Sequence, residues 1–396
     1  MINSHSSYVN TKEILYSLIC RYQPISRSDI ADIAGLTRAS VSNIVKQFLE
    51  VGLVVESDKI GGNVGRKKVL LRVNEQSIHV IGVDVGRRNI TSTIYNAGGK
   101  ILRTERCSFS CAKGLHENIE DAKKILNKLL TWANVKGIKI DAIGIGVPGP
   151  VDHNNGIVYS APHFQKSEII NIKKILEKTY KIPTFVERDA NAAALGEQCF
   201  GIGKKYNSFI YLLLVEGIGA GMIIDGYLYR GSHGLAGKVG RFVFPKIGDG
   251  GEIHILEEFG SEISALNIAE ENAKKIRTGY LNNIIKKRLL NINDLIDAFK
   301  KKDPVAIEVV NIMAYHTAIA VSNLVLFADP KLIILGGDFI NVGPYFVNEV
   351  REKVKKILGK RPLPDLRESP IYDLAISLGA ATRAISEVVS QKLKEV

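Results

Sequence analysis

Four apolar segments that each run into a glycine turn constrain this chain more than any other feature. They are Ile81-Gly82-Val83-Asp84-Val85-Gly86, Ile143-Gly144-Ile145-Gly146-Val147-Pro148-Gly149, Leu214-Val215-Glu216-Gly217-Ile218-Gly219-Ala220-Gly221 and Leu332-Ile333-Ile334-Leu335-Gly336-Gly337-Asp338. Each reads as a buried strand followed by a turn in which backbone N–H groups can approach a phosphate without a side chain in the way. One such loop is weak evidence; four point to a nucleotide-type cleft or its relic. The residues after the first loop narrow the choice. Asn89–Tyr95 alternates, with Ile90, Ser92 and Ile94 on one face and Thr91, Thr93 and Tyr95 on the other. That period of two is a strand, so the loop joins a hairpin. A dinucleotide fold or Walker loop leads into a helix instead, and no G-x-x-x-x-G-K-[ST] occurs. Helices are expected near 115–135, 168–180, 189–200, 257–277, 303–327, 343–357 and 378–394. The expectation is an α/β protein with mixed sheets, in two lobes with a cleft between them.

The first 76 residues follow a helical rhythm. Residues 10–21 fit an amphipathic helix that Asn10 can cap, with Glu13 three residues on and Ile14, Leu15, Leu18 and Ile19 sharing a face. A second helix begins at Ser26 and ends at Gly35, a residue suited to a left-handed turn. Thr37 can cap a third, running to about Glu50, with Val41, Ile44, Val45, Phe48 and Leu49 inward. Two short helices joined by a glycine turn make a helix-turn-helix. The third helix turns Arg38, Ala39, Ser42, Asn43, Lys46 and Gln47 outward. These types reach base edges or phosphates from a major groove. Leu53–Glu56 and Val69–Val73 read as hairpin strands, and the tip between them carries Arg66, Lys67 and Lys68. That is a wing suited to a phosphate backbone or minor groove. Double-stranded DNA is the expected partner; a helical module that contacts another protein is the alternative.

Composition sets outer bounds. A chain of 396 residues exceeds one ordinary core. Lys plus Arg is 53 and Asp plus Glu 41, a net +12, yet residues 1–76 hold 10 basic and 7 acidic residues and contribute only +3. The surplus suits a polyanion without locating the contact. The four Cys, at 20, 107, 111 and 199, lack disulfide density and zinc-ligand spacing, which points to a reducing, cytoplasmic setting. The opening MINSHSSYVN lacks the pattern of a signal peptide. Phe209–Ile224, the most apolar stretch, is interrupted by Glu216 and three glycines, so it reads as two buried strands and no membrane partner is expected. The basic run Arg351–Arg361 reads as an exposed helix face, and His233 and His254 as structural histidines.

The loops Asp84-Val-Gly, Gly146-Val-Pro-Gly-Pro-Val-Asp152, Arg188-Asp189-Ala-Asn-Ala-Ala-Ala-Leu-Gly-Glu197, Glu216-Gly-Ile-Gly-Ala-Gly221 and Leu335-Gly-Gly-Asp338 resemble the ROK family (repressors, open reading frames, sugar kinases). The N-terminal winged helix places the resemblance in its xylose-repressor-like branch. It implies a winged helix-turn-helix followed by a two-lobed actin-like, hexokinase-type (ribonuclease H-like) ATPase fold. The implied divisions are 1–76 for the DNA-binding domain, 77–200 for one lobe completed by a C-terminal helix at 380–396, and 201–379 for the second lobe with oligomerisation helices. By the same resemblance Asp189 matches the family's catalytic base, a carboxylate that accepts a sugar hydroxyl proton. The alternative role for Asp189 is a helix N-cap, with Asn191 and Ala192 offering N–H groups. Asp84 and Gly86 match the first phosphate loop, Gly217, Gly219 and Gly221 the second, and Gly336 and Gly337 the adenosine-side turn.

Departures from the family pattern redirect the reading. The kinase loop D-x-G-G-T is here Asp84-Val85-Gly86-Arg87-Arg88-Asn89, and two arginines there can block or reshape an ATP site. The sugar motif E-x-G-H is Lys238-Val239-Gly240-Arg241, and Arg188 stands where the family has Asn. The Cys-rich zinc segment becomes Gly248–Glu257 with every cysteine replaced, so no structural zinc or other metal is expected; Glu257 keeps the carboxylate that ends that motif. Arg188, Asp189, Lys238, Arg241 and Glu257 are therefore the candidate ligand residues. The three cations suit an anionic sugar derivative, since Arg grips phosphate or carboxylate bidentately. Alternatively they pair internally with Asp189, Asp152 or Glu257. The expected function is a transcriptional regulator of carbohydrate genes, a repressor by resemblance, controlled by a sugar or acidic sugar derivative and acting as a homodimer or homotetramer. It requires no cofactor; ATP and Mg enter only under the alternative, an active ATP-dependent sugar kinase.

Overall fold

The computed structural model describes residues 11–60, 68–86, 89–109, 114–159, 169–245, 253–276 and 279–395. Asn10, Arg66, Lys67, Arg87, Arg88, Cys111 and the stretch from Gly248 to Glu252 lie outside the described residues. The chain divides into two compact units, residues 1–204 with 374–396, and residues 205–373.

The first unit opens with α1 (Thr11–Tyr22), β1 (Ile25–Ser26), α2 (Arg27–Ala34), α3 (Arg38–Glu50), β2 (Val54–Ile60) and β3 (Lys68–Val73). Local chemistry sets these boundaries. The Ser26 hydroxyl accepts from the Asp29 N–H to start α2, Gly35 ends it at φ 64°, and the Thr37 hydroxyl accepts from the Ser40 N–H to start α3. The three strands pair antiparallel in the order β1-β3-β2, with Ile25 opposite Leu71. Leu15, Ile19, Ile30, Val41, Val45, Phe48 and Leu71 are fully buried and form the core of this module. Ile44 and Leu49, expected inward, are only half-buried.

The rest of the first unit adds β4 (His79–Val85), β5 (Asn89–Asn96), β6 (Ile101–Ser108), α4 (Leu115–Val135) and β7 (Ala142–Val147). Three short strands follow, β8 (Val151–Asp152), β9 (Ile157–Val158) and β10 (Ile170–Asn171), then α5 (Ile172–Tyr180), β11 (Thr184–Arg188) and α6 (Asp189–Phe200). The main sheet runs β11-β7-β4-β5-β6; β4, β7 and β11 are parallel, and β5 and β6 fold back as hairpins. One face of β4, β5 and β7 packs on α4 through Ile81, Val83, Ile90, Ile94, Ile143 and Ile145. The second unit contains β12 (Phe209–Leu214), β13 (Ile218–Ile224), β14 (Tyr227–Tyr229), the hairpin β15 (Val243–Pro245) and β16 (Ile253–Ile255), α7 (Glu257–Gly260), α8 (Glu262–Ile276), α9 (Tyr280–Ile285), α10 (Ile292–Lys300), α11 (Pro304–Ala328), β17 (Leu332–Gly336), α12 (Pro344–Leu358) and β18 (Asp365–Glu368). Its sheet runs β14-β13-β12-β17-β18. In both units the first strand carries two hairpin partners on one side and two parallel strands on the other. The final helix, α13 (Tyr372–Lys392), lies almost wholly in the first unit.

Glycines let α13 lie directly on the first sheet. A Cβ at Gly82 would fall 2.0 Å from the Ser377 carbonyl oxygen, one at Gly144 1.9 Å from that of Ala380, and one at Gly146 2.4 Å from the Ile376 side chain. The same holds where α6 crosses α13: a Cβ at Gly379 would lie 1.6 Å from the Ala192 carbonyl oxygen. Several glycines that suggested phosphate loops therefore secure helix–sheet contact.

Four features depart from expectation. The helix expected over 257–277 is broken at Ser261, which is extended at φ −89° and ψ 165°. α9 and α10 were not anticipated. α13 starts at Tyr372, ahead of the 378 that the periodicity suggests. Among the described residues one helix is long and apolar enough to cross a membrane, Pro304–Ala328, and it supplies Val309, Val310, Met313, Ala314, Ala318, Val321 and Leu324 to the core of the second unit.

Candidate functional site

The helix-turn-helix presents α3 to solvent along one side. Arg38, Ala39, Ser42, Asn43 and Lys46 are exposed, whereas Gln47, expected outward, is half-buried with its amide oxygen shielded. Lys46 Nζ stands 3.7 Å from Glu50 Oε1, one helical turn on. Lys68, at the base of the wing, meets Asp29 Oδ1 at 3.0 Å. Arg27 joins Glu56 at 2.9 Å, so two ion pairs tie α2 to the hairpin. The Ser26 hydroxyl and the Lys68 ammonium hold the Asp29 carboxyl below its ordinary range. Lys68 thus ties the start of β3 to α2.

In the first unit, the register sets Asp84 (β4) opposite Gly146 (β7), and Gly146 opposite Glu187 (β11). Side chains in register share a face, so the two residues stand about 9–10 Å apart, backbone to backbone, at two strand spacings. Asp84 is half-buried. A Cβ at Gly86 would lie 2.9 Å from the Asn89 carbonyl oxygen, which fixes the tight turn after β4. Glu187, Arg188 and Asn191 are buried at 2, 5 and 3% exposure and form one network. Asn191 Nδ2 donates to Glu187 Oε1 at 2.9 Å, and the Arg188 guanidinium donates to Asn191 Oδ1 at 2.8 Å. Burial pulls the Arg188 pKa down, and the charges of Asp189 and Glu187 act against that shift. Asp189 is not the helix cap. Arg188 takes the cap position, because β11 stays extended through it, and Asp189 is the first helical residue, accepting from the Ala190 N–H at 2.7 Å. Sequence reasoning overlooked Glu187 and used Asn191 only as an N–H donor; the signal available was an acid, a base and an amide at i, i+1 and i+4 where a strand turns into a helix.

In the second unit, a short 3-10 turn over Val239–Arg241 presents Lys238 and Arg241. A Cβ at Gly240 would sit 2.6 Å from Glu257 Oε2 and 2.8 Å from the Ile218 carbonyl oxygen, so this turn seats between α7 and the start of β13. Arg241 Nε lies 3.8 Å from Glu257 Oε1. Gly217 forms the bend after β12, whereas Gly219 and Gly221 lie inside β13, paired with Leu213 and Tyr211. Gly336 ends β17 against the Tyr211 hydroxyl, where a Cβ would fall 1.7 Å away, and Gly337 turns at φ 106° over Leu214. His254 is not isolated: its Nδ1 is 3.1 Å from Glu258 Oε2 and its ring packs edge-on to Phe259, which stacks on His316. The family's zinc does not fit here. Arg241, at the position of its histidine, offers no lone pair, and among the described residues no group of three or more His, Cys, Asp or Glu could hold a metal ion.

Residues 80–385 match the ROK family. This chain belongs to the ROK family. Its relatives include the xylose repressor of Caldicellulosiruptor bescii, 29% identical over 374 residues, covering 92% of this chain and 93% of the relative. Among solved structures it is similar to a ROK family transcriptional regulator described as a homologue of the E. coli MLC protein. That match has a TM-score of 0.78 at 22% identity and covers 97% of this chain and 98% of the other. It is also similar to a ROK family glucokinase from Streptomyces griseus in complex with glucose and AMPPNP, with a TM-score of 0.68 at 27% identity, covering 77% of this chain and 99% of that one. The glucokinase is covered almost completely while about a quarter of this ROK chain lies outside the match. The actin-like, hexokinase-type body and the winged helix ahead of it are thus the two parts of a ROK regulator.

Proposed function

We propose that this ROK protein is a transcriptional repressor of carbohydrate genes that binds double-stranded operator DNA through α3 and its wing and responds to a sugar or acidic sugar derivative. One observation carries the reading: a capped helix-turn-helix with an exposed polar recognition face is joined to a ROK body. The similarity to a xylose repressor along nearly the whole chain supports it. Arg38, Ser42, Asn43 and Lys46 face the major groove, and Arg66 and Lys67 serve the wing. Lys68 joins them by exchanging Asp29 for a phosphate. The candidate effector residues are Arg188 and Asp189 of the first unit and Lys238, Arg241 and Glu257 of the second. Asp84, Gly86, Gly217, Gly219, Gly221, Gly336 and Gly337 are the remains of a nucleotide site. Two-fold operators ask for a homodimer or a tetramer of dimers in the cytoplasm. Effector and DNA then weaken each other by the same factor.

The test is titration of the full chain onto its own upstream DNA over a salt series. Removing one phosphate-binding cation lowers the slope of log K against log salt by about 1, so Arg38→Ala with Lys46→Ala should flatten it by about 2 and weaken binding. Unchanged slope and affinity reject the assigned face. A second reading, an active sugar kinase, draws on Asp189 standing half-exposed at the first turn of α6. ADP release with a sugar panel, abolished by Asp189→Asn, would establish it instead.

A further inference from the structure

The helix that begins at Asp189 ends beneath the DNA-binding module. α1 packs on α6, and at the far end of α6 the buried Cys199 thiol lies within hydrogen-bonding reach of Ser17 in α1 and Thr382 in α13. Burial raises its pKa to about 11, so it stays a neutral packing group. Further bonds seat α1 on the end of α13: Lys12 Nζ donates to the Leu393 carbonyl at 3.3 Å, and the Ser390 hydroxyl bonds Glu13. Arg21 closes the other end of α1 by donating to the Lys204 carbonyl at 3.1 Å. Beneath it α6 and α13 touch backbone to backbone. Besides Gly379 on Ala192, a Cβ at Gly196 would lie 2.5 Å from the Ala375 carbonyl oxygen. Helices packed this closely have no side-chain layer in which to slide, so they move together. Above α1, the fully buried Phe48 of α3 meets the Tyr16 ring edge-on, with centroids 6.0 Å apart.

We propose that α6 and α13 act as one rigid strut, about 18 Å long on the α6 side, which carries rearrangement at Arg188–Asp189 to α3, with Tyr16 as the positioning residue that relays it. The inference rests on the repressor reading and adds its route. A shift in the Glu187–Arg188–Asn191 network re-aims the first turn of α6. The strut tilts at Cys199, α1 follows, and the Tyr16 edge displaces Phe48 and with it the recognition face.

A double-mutant cycle in the full chain tests this without knowledge of the effector. Arg188→Asn perturbs one end, with Asp189→Asn as a gentler second variant, and Tyr16→Leu removes the relay ring. Binding to the upstream DNA fragment should change by about fivefold or more with Arg188→Asn, and that response should vanish when combined with Tyr16→Leu. Tyr16→Phe, which keeps the ring on Phe48, should restore it. Hydrogen exchange of residues 38–50 on the same proteins should follow the same pattern. Effects that add within about twofold, with exchange in α3 indifferent to either first-turn variant, overturn the strut. If the wild-type chain ignores the DNA, the repressor reading fails, and the exchange data alone decide whether the two ends communicate.

Discussion

His316 shows how a single side chain ties this fold to pH. Burial lowers its pKa, only partly countered by the bond between Nδ1 and the Ile312 carbonyl, 3.0 Å away. A histidine held neutral in the folded state takes up its proton more readily when unfolded. The stability it contributes is complete above the unfolded value of about 6.5 and falls away as pH drops toward the depressed folded one. His316→Phe keeps the stack on Phe259, so the variant should lose less stability than wild type between about pH 6.5 and 5, measured by urea unfolding at each pH; equal losses would refute the assignment. Arg188, Lys238 and Arg241 can be read from the sequence as cations at positions that match the family's sugar site, but their neighbours cannot. Arg241 meets Glu257 across sixteen positions of chain, a pairing that depends on how α7 packs on β13. Glycines are ambiguous for the same reason. Gly82 and Gly144 look like phosphate-loop residues until a carbonyl from α13, more than two hundred residues away, is found where their Cβ would be.

Individual elements were legible where their signals are local. Leu115–Val135 matches the expected helix, and the Ser26, Gly35 and Thr37 boundaries of the helix-turn-helix follow from side chains within three residues. α10 carried a readable capping box, Asn291 with Asp294, and was missed all the same. α9 had no local signal: the Tyr280 and Leu281 N–H groups are met by Asp303, beyond the next helix. The α6–α13 crossing gives the sharpest test at this scale. Gly379→Ala gains up to about 1 kcal/mol of helix propensity. Against that, its methyl would enter the Ala192 carbonyl, which is backbone and cannot rotate away. Overpacking should win, with a net loss of about 2 kcal/mol or more and a lowered Tm by calorimetry. A variant as stable as wild type would mean that the two helices have room to part.

At the scale of the molecule, two sheets share one strand order, yet residues 80–147 and 209–336 show no repeat legible to the eye. Shared topology needs only matching apolar strands and turns, which many sequences satisfy. The path of the last helix was equally hidden: Tyr372–Lys392 closes the unit that begins at residue 1. Shortening the chain after Glu387 removes Ser390 and Leu393, the partners of Glu13 and Lys12. Such a variant should expose α1 to limited proteolysis while the second unit stays resistant. A truncated chain as resistant in α1 as the full one would show that α6 alone suffices as its seat.

That seat also imposes a schedule on biosynthesis. Lys12 and Leu393 are 381 residues apart, a gap that a ribosome adding roughly 5–20 residues per second crosses in about 20–75 s. Throughout that interval α1 lacks the α13 part of its seat, and the side of it that packs there is available to chaperones or to neighbouring nascent chains. α1 therefore gains its full seat only on a finished chain, and under the proposed function fragments left by premature termination should be poor competitors for DNA.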